Sequence, residues 1–261
     1  MKLITHQSDK TLTNKQILKK PKCISKWLSL NLGVVTNEVE PIPFGLSNKM
    51  SKKNLSSISN FPSELDLKNR SEKIYINFQK NTNRKEREGL YEYFSNFDWA
   101  VTSEPTLPLK NYEEDLRKYS FVLCPWGNGY DTNRLWEALY FGCIVVTKKH
   151  PTFSNLNDLP IIFVDSYDEI NHDLLVNYKN NLKKEDINYE KLNVLWWIDY
   201  VKKINILDNK LKKEIKQSLI VSKFFIMRWK LLFLIDSKSK KLKYFLFRLK
   251  NYFIRIIKNE F

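Results

Sequence analysis

The sequence predicts an α/β fold with a doubly wound parallel sheet over residues 71–205, and three observations carry that prediction. Short apolar runs recur: Lys73–Phe78 (KIYINF), Tyr119–Cys124 (YSFVLC), Cys143–Thr147 and Pro160–Val164. Segments with helical spacing stand between them, so strand and helix alternate as βαβ units require. Three of the six glycines (Gly127, Gly129, Gly142) fall within sixteen residues, and the first two directly follow the Tyr119–Cys124 run. A glycine turn at the carboxyl end of a parallel strand is where such sheets bind ligands.

In chain order, residues 1–70 alternate short apolar pieces with polar turns. The spacing predicts a helix over Gln16–Leu30, and Pro41–Gly45 (PIPFG) reads as a turn. The Ser/Asn/Lys-rich segment 48–67 reads as a linker. The Lys73–Phe78 strand is followed by a helix over Arg84–Ser95, a short strand Trp99–Thr102, and a helix over Tyr112–Lys118. After Tyr119–Cys124 come the glycine turn, a helix over Thr132–Phe141, the two remaining strands, and helices over Tyr167–Tyr178 and Tyr189–Lys203.

Residues 206–261 differ in kind. Leu242, Phe245, Leu246, Leu249, Phe253, Ile256 and Ile257 recur at helical spacing, with Lys241, Lys243, Arg248, Lys250, Arg255 and Lys258 mostly between them. That pattern fits a basic amphipathic helix lying on an anionic bilayer; a helix packing its apolar stripe on the body fits it too. The whole chain has 44 Lys+Arg against 29 Asp+Glu, a formal charge of +15. Residues 210–261 hold 15 Lys+Arg and 3 Asp+Glu, a net of +12, leaving +3 on the other 209 residues. The basicity belongs to the tail, and with no nucleic-acid-binding motif a nucleic-acid partner is not expected.

Three cysteines without a CxxC pair and three scattered histidines support neither a disulfide framework nor a metal site, and point to a reducing, cytoplasmic setting. No cofactor motif is present. The first ten residues contain no apolar run, and Lys223, Arg228 and Lys230 interrupt the most apolar stretch, Leu219–Ile235. Neither a leader peptide nor a membrane-spanning segment is expected.

The chemistry centres on Cys124–Val146. Gly127 and Gly129 let backbone N–H groups approach an anion, and the N-terminus of the following helix adds a favourable field. Asp131 and Thr132 suit its N-cap. Arg134 and Glu137, three apart, lie on neighbouring faces of the helix start. A guanidinium fork suits a diphosphate and an ionised carboxylate suits two vicinal ribose hydroxyls; taken alone, the two residues favour the plainer reading, a surface ion pair on an ordinary helix. Trp126 reads either as a base-stacking platform or as a packed turn residue. Cys124 and Cys143 read as packing residues at strand ends, and Trp136 and Leu139 as core.

The run Tyr119–Val146, YSFVLCPWGNGYDTNRLWEALYFGCIVV, resembles the C-terminal signature of the exostosin-type glycosyltransferases and their bacterial envelope-polysaccharide relatives. Their pattern is an apolar strand, Cys-Pro-x-Gly-x-Gly, a polar pair, Arg-[Leu/Phe/Ile]-Trp-Glu-Ala-Leu and Gly-Cys-Ile-Pro-Val; Val145 stands where those enzymes commonly have proline. His150-Pro151 and the strand up to Asp165 also look like that family. The resemblance implies a GT-B architecture. Residues 71–205 would be the nucleotide-sugar-binding domain, 1–70 a shortened Rossmann-like acceptor-side domain, and 206–261 a basic amphipathic helical tail.

It further implies a glycosyltransferase that moves a hexosyl or pentosyl group, with inversion and without a metal, from a nucleotide-sugar donor to a glycan or lipid-linked acceptor in surface polysaccharide biosynthesis. Donor-binding residues would be Gly127, Asn128, Gly129, Asp131, Asn133, Arg134 and Glu137. Thr5–Asp9, Lys26-Trp27 and Pro41–Leu46 look like segments of the family's acceptor-side domain, which makes His6 and Asp9 candidates for the general base that inversion requires; a turn cap and a loop residue are the plain alternatives. Residues 210–261 would hold the enzyme peripherally on the cytoplasmic membrane face. A catalytically inactive nucleotide-sugar-binding fragment is the alternative function, and a basic nucleic-acid-binding protein is the more distant one.

Overall fold

The computed structural model describes residues 1–48, 51, 53–55, 67–105 and 108–204. The chain divides into two compact units, and the described residues all belong to the first, Met1–Ile206. The predicted tail helix and most of the predicted linker lie outside the described residues. The architecture is α/β with two parallel sheets.

The first sheet is built from β1 (Lys2–Thr5), β2 (Lys26–Ser29) and β3 (Val39–Pro41), in that order and all parallel. One short helix, α1 (Asn14–Leu18), links β1 to β2. Gln16 Oε1 accepts from the Thr13 N–H at 2.8 Å and starts that helix. The helix expected over Gln16–Leu30 therefore stops at Leu18, and its second half is a strand. Pro21 explains the correction: it lacks an N–H and disfavours helical backbone at the residue before it. Leu28 then pairs with Ile4 on one side and Glu40 on the other, fully buried.

The second sheet holds β4 (Ser71–Ile76), β5 (Ala100–Thr102), β6 (Tyr119–Leu123), β7 (Ile144–Lys148) and β8 (Ile161–Val164). All are parallel, in the order β5-β4-β6-β7-β8. The helices are α2 (Arg84–Arg87), α3 (Leu90–Phe94), α4 (Leu109–Lys118), α5 (Asn133–Tyr140), α6 (His172–Asn181) and α7 (Val194–Lys203). The helix expected over Arg84–Ser95 is broken in two because Gly89 takes a left-handed φ of 77° between α2 and α3. The last two predicted helices each open with a 3-10 turn. Regular helix begins only where an Asn side chain caps it: Asn171 accepts from Leu174 N–H and Asn193 from Leu195 N–H, both at 2.9 Å.

Side chains alternate across this sheet with period two. Tyr75, Val122 and Val145 face one core with Trp136 and Leu139 of α5; Ile74, Ile76, Phe121, Leu123, Ile144 and Val146 face the other with Phe94 and Leu175. Burial of each such side chain contributes about 1.5–3 kcal/mol. Leu28 of β2 and Ile42, just after β3, join the core that contains Trp136. The chain steps from β4 outward to β5 and then crosses back past β4 to β6, so the carboxyl ends of β4 and β6 flank the switch point where doubly wound sheets open a crevice. Among the described residues, no helix is long and apolar enough to cross a membrane.

Candidate functional site

The loops at the carboxyl ends of the two sheets meet. His6–Asp9 follow β1, Asn31 follows β2, Pro43–Gly45 follow β3, Gly127–Asp131 follow β6 and His150 follows β7. The buried Asn31 side chain ties three of these loops together. Its Nδ2 donates to the Ser8 carbonyl at 2.8 Å, and its Oδ1 accepts from the N–H groups of Tyr130 (2.8 Å) and Asp131 (3.1 Å). Asn31 and Gln7 hold left-handed φ values of 55° and 63°, and such strain persists only where surroundings over-determine it.

The candidate residues in these loops divide by what they touch. Asp131 is buried, its Oδ2 accepting from Phe44 N–H at 2.7 Å and its Oδ1 from Trp136 Nε1 at 2.8 Å. Burial pushes this carboxyl up to about 7, against the pull of those donors. Asn133 Nδ2 donates to the Gly45 carbonyl at 2.8 Å. Asp131 and Asn133 thus clamp the turn after β3 onto the start of α5. His6 Nε2 lies 2.9 Å from the Pro43 carbonyl, in the same turn, while Asp9 and Asn128 are exposed.

The glycine turn is held from behind. Arg87 donates to the carbonyls of Gln79 (2.9 Å), Pro125 (3.0 Å) and Trp126 (2.8 Å), and Asn83 Nδ2 donates to that of Gly127 at 2.8 Å. Gly129 has a steric reason: a Cβ there would stand 2.5 Å from Asn31 Nδ2. Thr132 has the extended backbone of an N-cap, and Asn133, Arg134 and Leu135 form the first turn of α5.

Arg134 and Glu137 are joined through a third residue. Arg134 Nη1 donates to the Tyr112 hydroxyl at 3.2 Å, and that hydroxyl donates to Glu137 Oε2 at 2.9 Å. The guanidinium also lies over the Tyr112 ring, 5.1 Å from its centroid. Glu137 and Tyr112 are each 8% exposed, so the surface-pair reading of Arg134 and Glu137 is overturned. Burial raises the Glu137 pKa above the usual carboxylate range, and the Arg134 charge and Tyr112 hydroxyl pull it back. Burial, then the like charge of Arg134, lowers Arg87 to about 10, leaving it charged at neutral pH. Among the described residues neither arginine forms an ion pair with a carboxylate. The site therefore carries two guanidinium charges beside a glycine turn and a helix N-terminus.

Trp126 is a packed turn residue. It stands edge-on to Tyr130 and His150, and Lys148 Nζ sits 4.7 Å from its ring centroid. Cys124 and Cys143 are buried packing groups, and burial pushes both thiols up, that of Cys143 to about 11. Trp136 and Leu139 are core. Among the described residues no group of three His, Cys, Asp or Glu side chains is placed to hold a metal ion.

Sequence reasoning missed Arg87, Tyr112 and Asn31. Arg87 sits in the run RKER, which reads as a solvated face, and only its burial against the glycine turn sets it apart. Asn31 left one faint signal, as a residue type that tolerates left-handed backbone at the end of a predicted element. No family model matches the chain, and no curated protein matches it.

Proposed function

We propose that the protein is a glycosyltransferase of the exostosin-like, GT-B kind. It transfers a hexosyl or pentosyl group with inversion from a nucleotide-sugar donor to a glycan or lipid-linked acceptor, in surface polysaccharide biosynthesis. The observation that carries the reading is the Arg134–Tyr112–Glu137 chain, buried at Tyr112 and Glu137, beside the Gly127–Gly129 turn at the sheet's switch point. Two guanidinium groups without carboxylate partners favour a bound anion, because buried charge is costly until it is paired. A nucleoside diphosphate supplies that anion, and its ribose supplies the vicinal hydroxyls that suit Glu137. The same charges stabilise the diphosphate as it leaves. The acceptor side is formed by the loops after β1 and β3, with His6 or Asp9 as the base, and residues 210–261 hold the enzyme to the cytoplasmic membrane face.

Calorimetry with a panel of nucleoside diphosphates and sugar nucleotides tests the reading on the full chain. One member is expected to bind, and Glu137→Ala to weaken it at least tenfold, about 1.4 kcal/mol. Equal affinity in the variant removes Glu137 from the site, and no binding across the panel removes the donor reading. Binding without turnover favours the inactive module.

A further inference from the structure

We propose that the outer face of α7 is a bilayer-contacting surface that seats the folded unit on an anionic membrane. α7 is fixed on the first sheet: the Lys2 ammonium donates to the carbonyls of Val201 and Lys202, and the Tyr200 hydroxyl to the Glu40 carboxylate. Trp197 faces inward, 8% exposed, with its Nε1 donating to the Lys191 carbonyl at 2.7 Å. That orientation leaves Val194, Leu195 and Ile198 outward, 67%, 61% and 43% exposed. At positions i, i+1 and i+4 they share one flank of the helix. The other exposed large hydrophobic residues described, Met1, Ile4, Leu18, Val35 and Tyr93, do not gather on one helix face, and scattered exposed apolar residues are ordinary.

Two further observations select a bilayer over a protein partner. Trp196 and Tyr200 stack 5.3 Å apart at 6° beside a groove of about 640 Å³ edged by Glu190, Asn193, Asp199 and Lys203. The Trp196 ring is of the kind that sits at the headgroup level of a membrane, and Tyr200, its hydroxyl held by Glu40, fixes that ring in place. The Asp199 charge is met by Lys202 at 3.2 Å, and the chain that follows α7, residues 204–261, carries 15 Lys+Arg against 4 Asp+Glu, a net of +11. An apolar helix face continuous in sequence with a strongly basic segment supplies the two signals that stable attachment to anionic lipid needs. The inference shares with the proposed function only the membrane as partner, and donor titration on the same protein shows whether that function fails separately.

The test uses the full chain with Val194→Cys labelled by an environment-sensitive fluorophore; Cys23, Cys124 and Cys143 are buried, so the label is selective. Vesicles of phosphatidylcholine with phosphatidylglycerol are expected to shift the emission to the blue, and phosphatidylcholine alone to leave it. A label at exposed Lys85 on α2 is expected to stay unchanged. In the unlabelled chain, Leu195→Glu with Ile198→Glu is expected to weaken co-sedimentation with the anionic vesicles about tenfold. These sites are exposed, so the variant keeps its fold, and an unchanged thermal midpoint checks this. A Val194 label that stays in water on vesicle-bound protein, or equal co-sedimentation by the variant, overturns the proposal. So does a blue shift that grows with protein concentration without vesicles, which assigns the face to a second copy of the chain.

Discussion

The Tyr112 hydroxyl donates to Glu137 Oε2 at 2.9 Å and accepts from Arg134 on its other side. One phenol therefore orients the carboxylate and the guanidinium together. Burial holds the Tyr112 phenol well above its usual pKa, so it stays protonated and its donor role is fixed. The two charged groups are joined through the phenol rather than by a direct ion pair, which leaves each with capacity for a ligand.

Tyr112→Phe keeps the ring under Arg134 and removes only the hydroxyl. Glu137 then loses a buried donor and Arg134 a buried acceptor, a cost of about 1–3 kcal/mol. Without that hydroxyl the carboxyl ionises less readily. Nucleotide affinity is expected to fall, and to fall more at pH 5 than at pH 8. Urea unfolding and calorimetry at the two pH values check both parts; equal affinity at both detaches Tyr112 from the ligand.

Gly129→Ala and Gly89→Ala separate two uses of glycine. A Cβ at Gly129 meets Asn31 Nδ2 at 2.5 Å, and Asn31 cannot withdraw without breaking its bonds to Ser8, Tyr130 and Asp131. Overpacking of that kind costs about 1–3 kcal/mol, and losing the Asn31 bonds adds to it. Gly89 has open space around it and only its φ of 77° to defend, worth about 1–2 kcal/mol. Urea midpoints are expected to rank wild type, Gly89→Ala, then Gly129→Ala, and only the Gly129 variant is expected to lose nucleotide affinity.

The parts of this fold legible in sequence are those where one element carries its own signal. β6 (YSFVL) and the first three residues of β7 (IVV) form near-continuous apolar runs because both faces of the sheet are covered. The glycine turn, Arg134 and Glu137 are contiguous, so their grouping survives in one dimension. β1 and β2, each four residues of mixed type, are too short for a period to show, and in Gln16–Leu30 an apolar helical spacing hid the stop at Pro21. Tyr112 reaches Glu137 across 25 residues and Asn31 reaches Asp131 across 100. Such pairings exist only after the sheet order has formed.

Arg87→Met removes a guanidinium that satisfies three carbonyls. Orphaning buried acceptors costs about 1–3 kcal/mol each, so the variant is expected to lose several kcal/mol in urea unfolding. Arg87→Lys restores the charge but not the three-way fork, and recovers part of that stability. If Arg87 serves packing alone, Arg87→Lys binds nucleotide as the wild type does; a weaker affinity in the folded Lys variant shows that the shape of the turn matters to the ligand.

Asp131 and His150 set opposing pH dependences. Burial raises Asp131 from the usual 3.8 to about 7, so between those values the folded chain keeps a proton that the unfolded chain releases. Its contribution therefore falls as pH rises through that window. Burial lowers His150 from 6.5 to about 4, so there the unfolded chain takes a proton that the folded chain refuses. Its contribution falls as pH drops through that window. Over the shared range the two slopes offset each other. Asp131→Asn is expected to tilt the stability profile upward with pH. His150→Asn, which keeps an acceptor for the Thr152 N–H, is expected to tilt it downward. Glu137, also raised by burial, adds to the downward slope in every variant and leaves these differences intact. Urea midpoints from pH 4 to 8 decide the matter: parallel profiles for wild type and both variants would mean that neither side chain changes its proton affinity on folding.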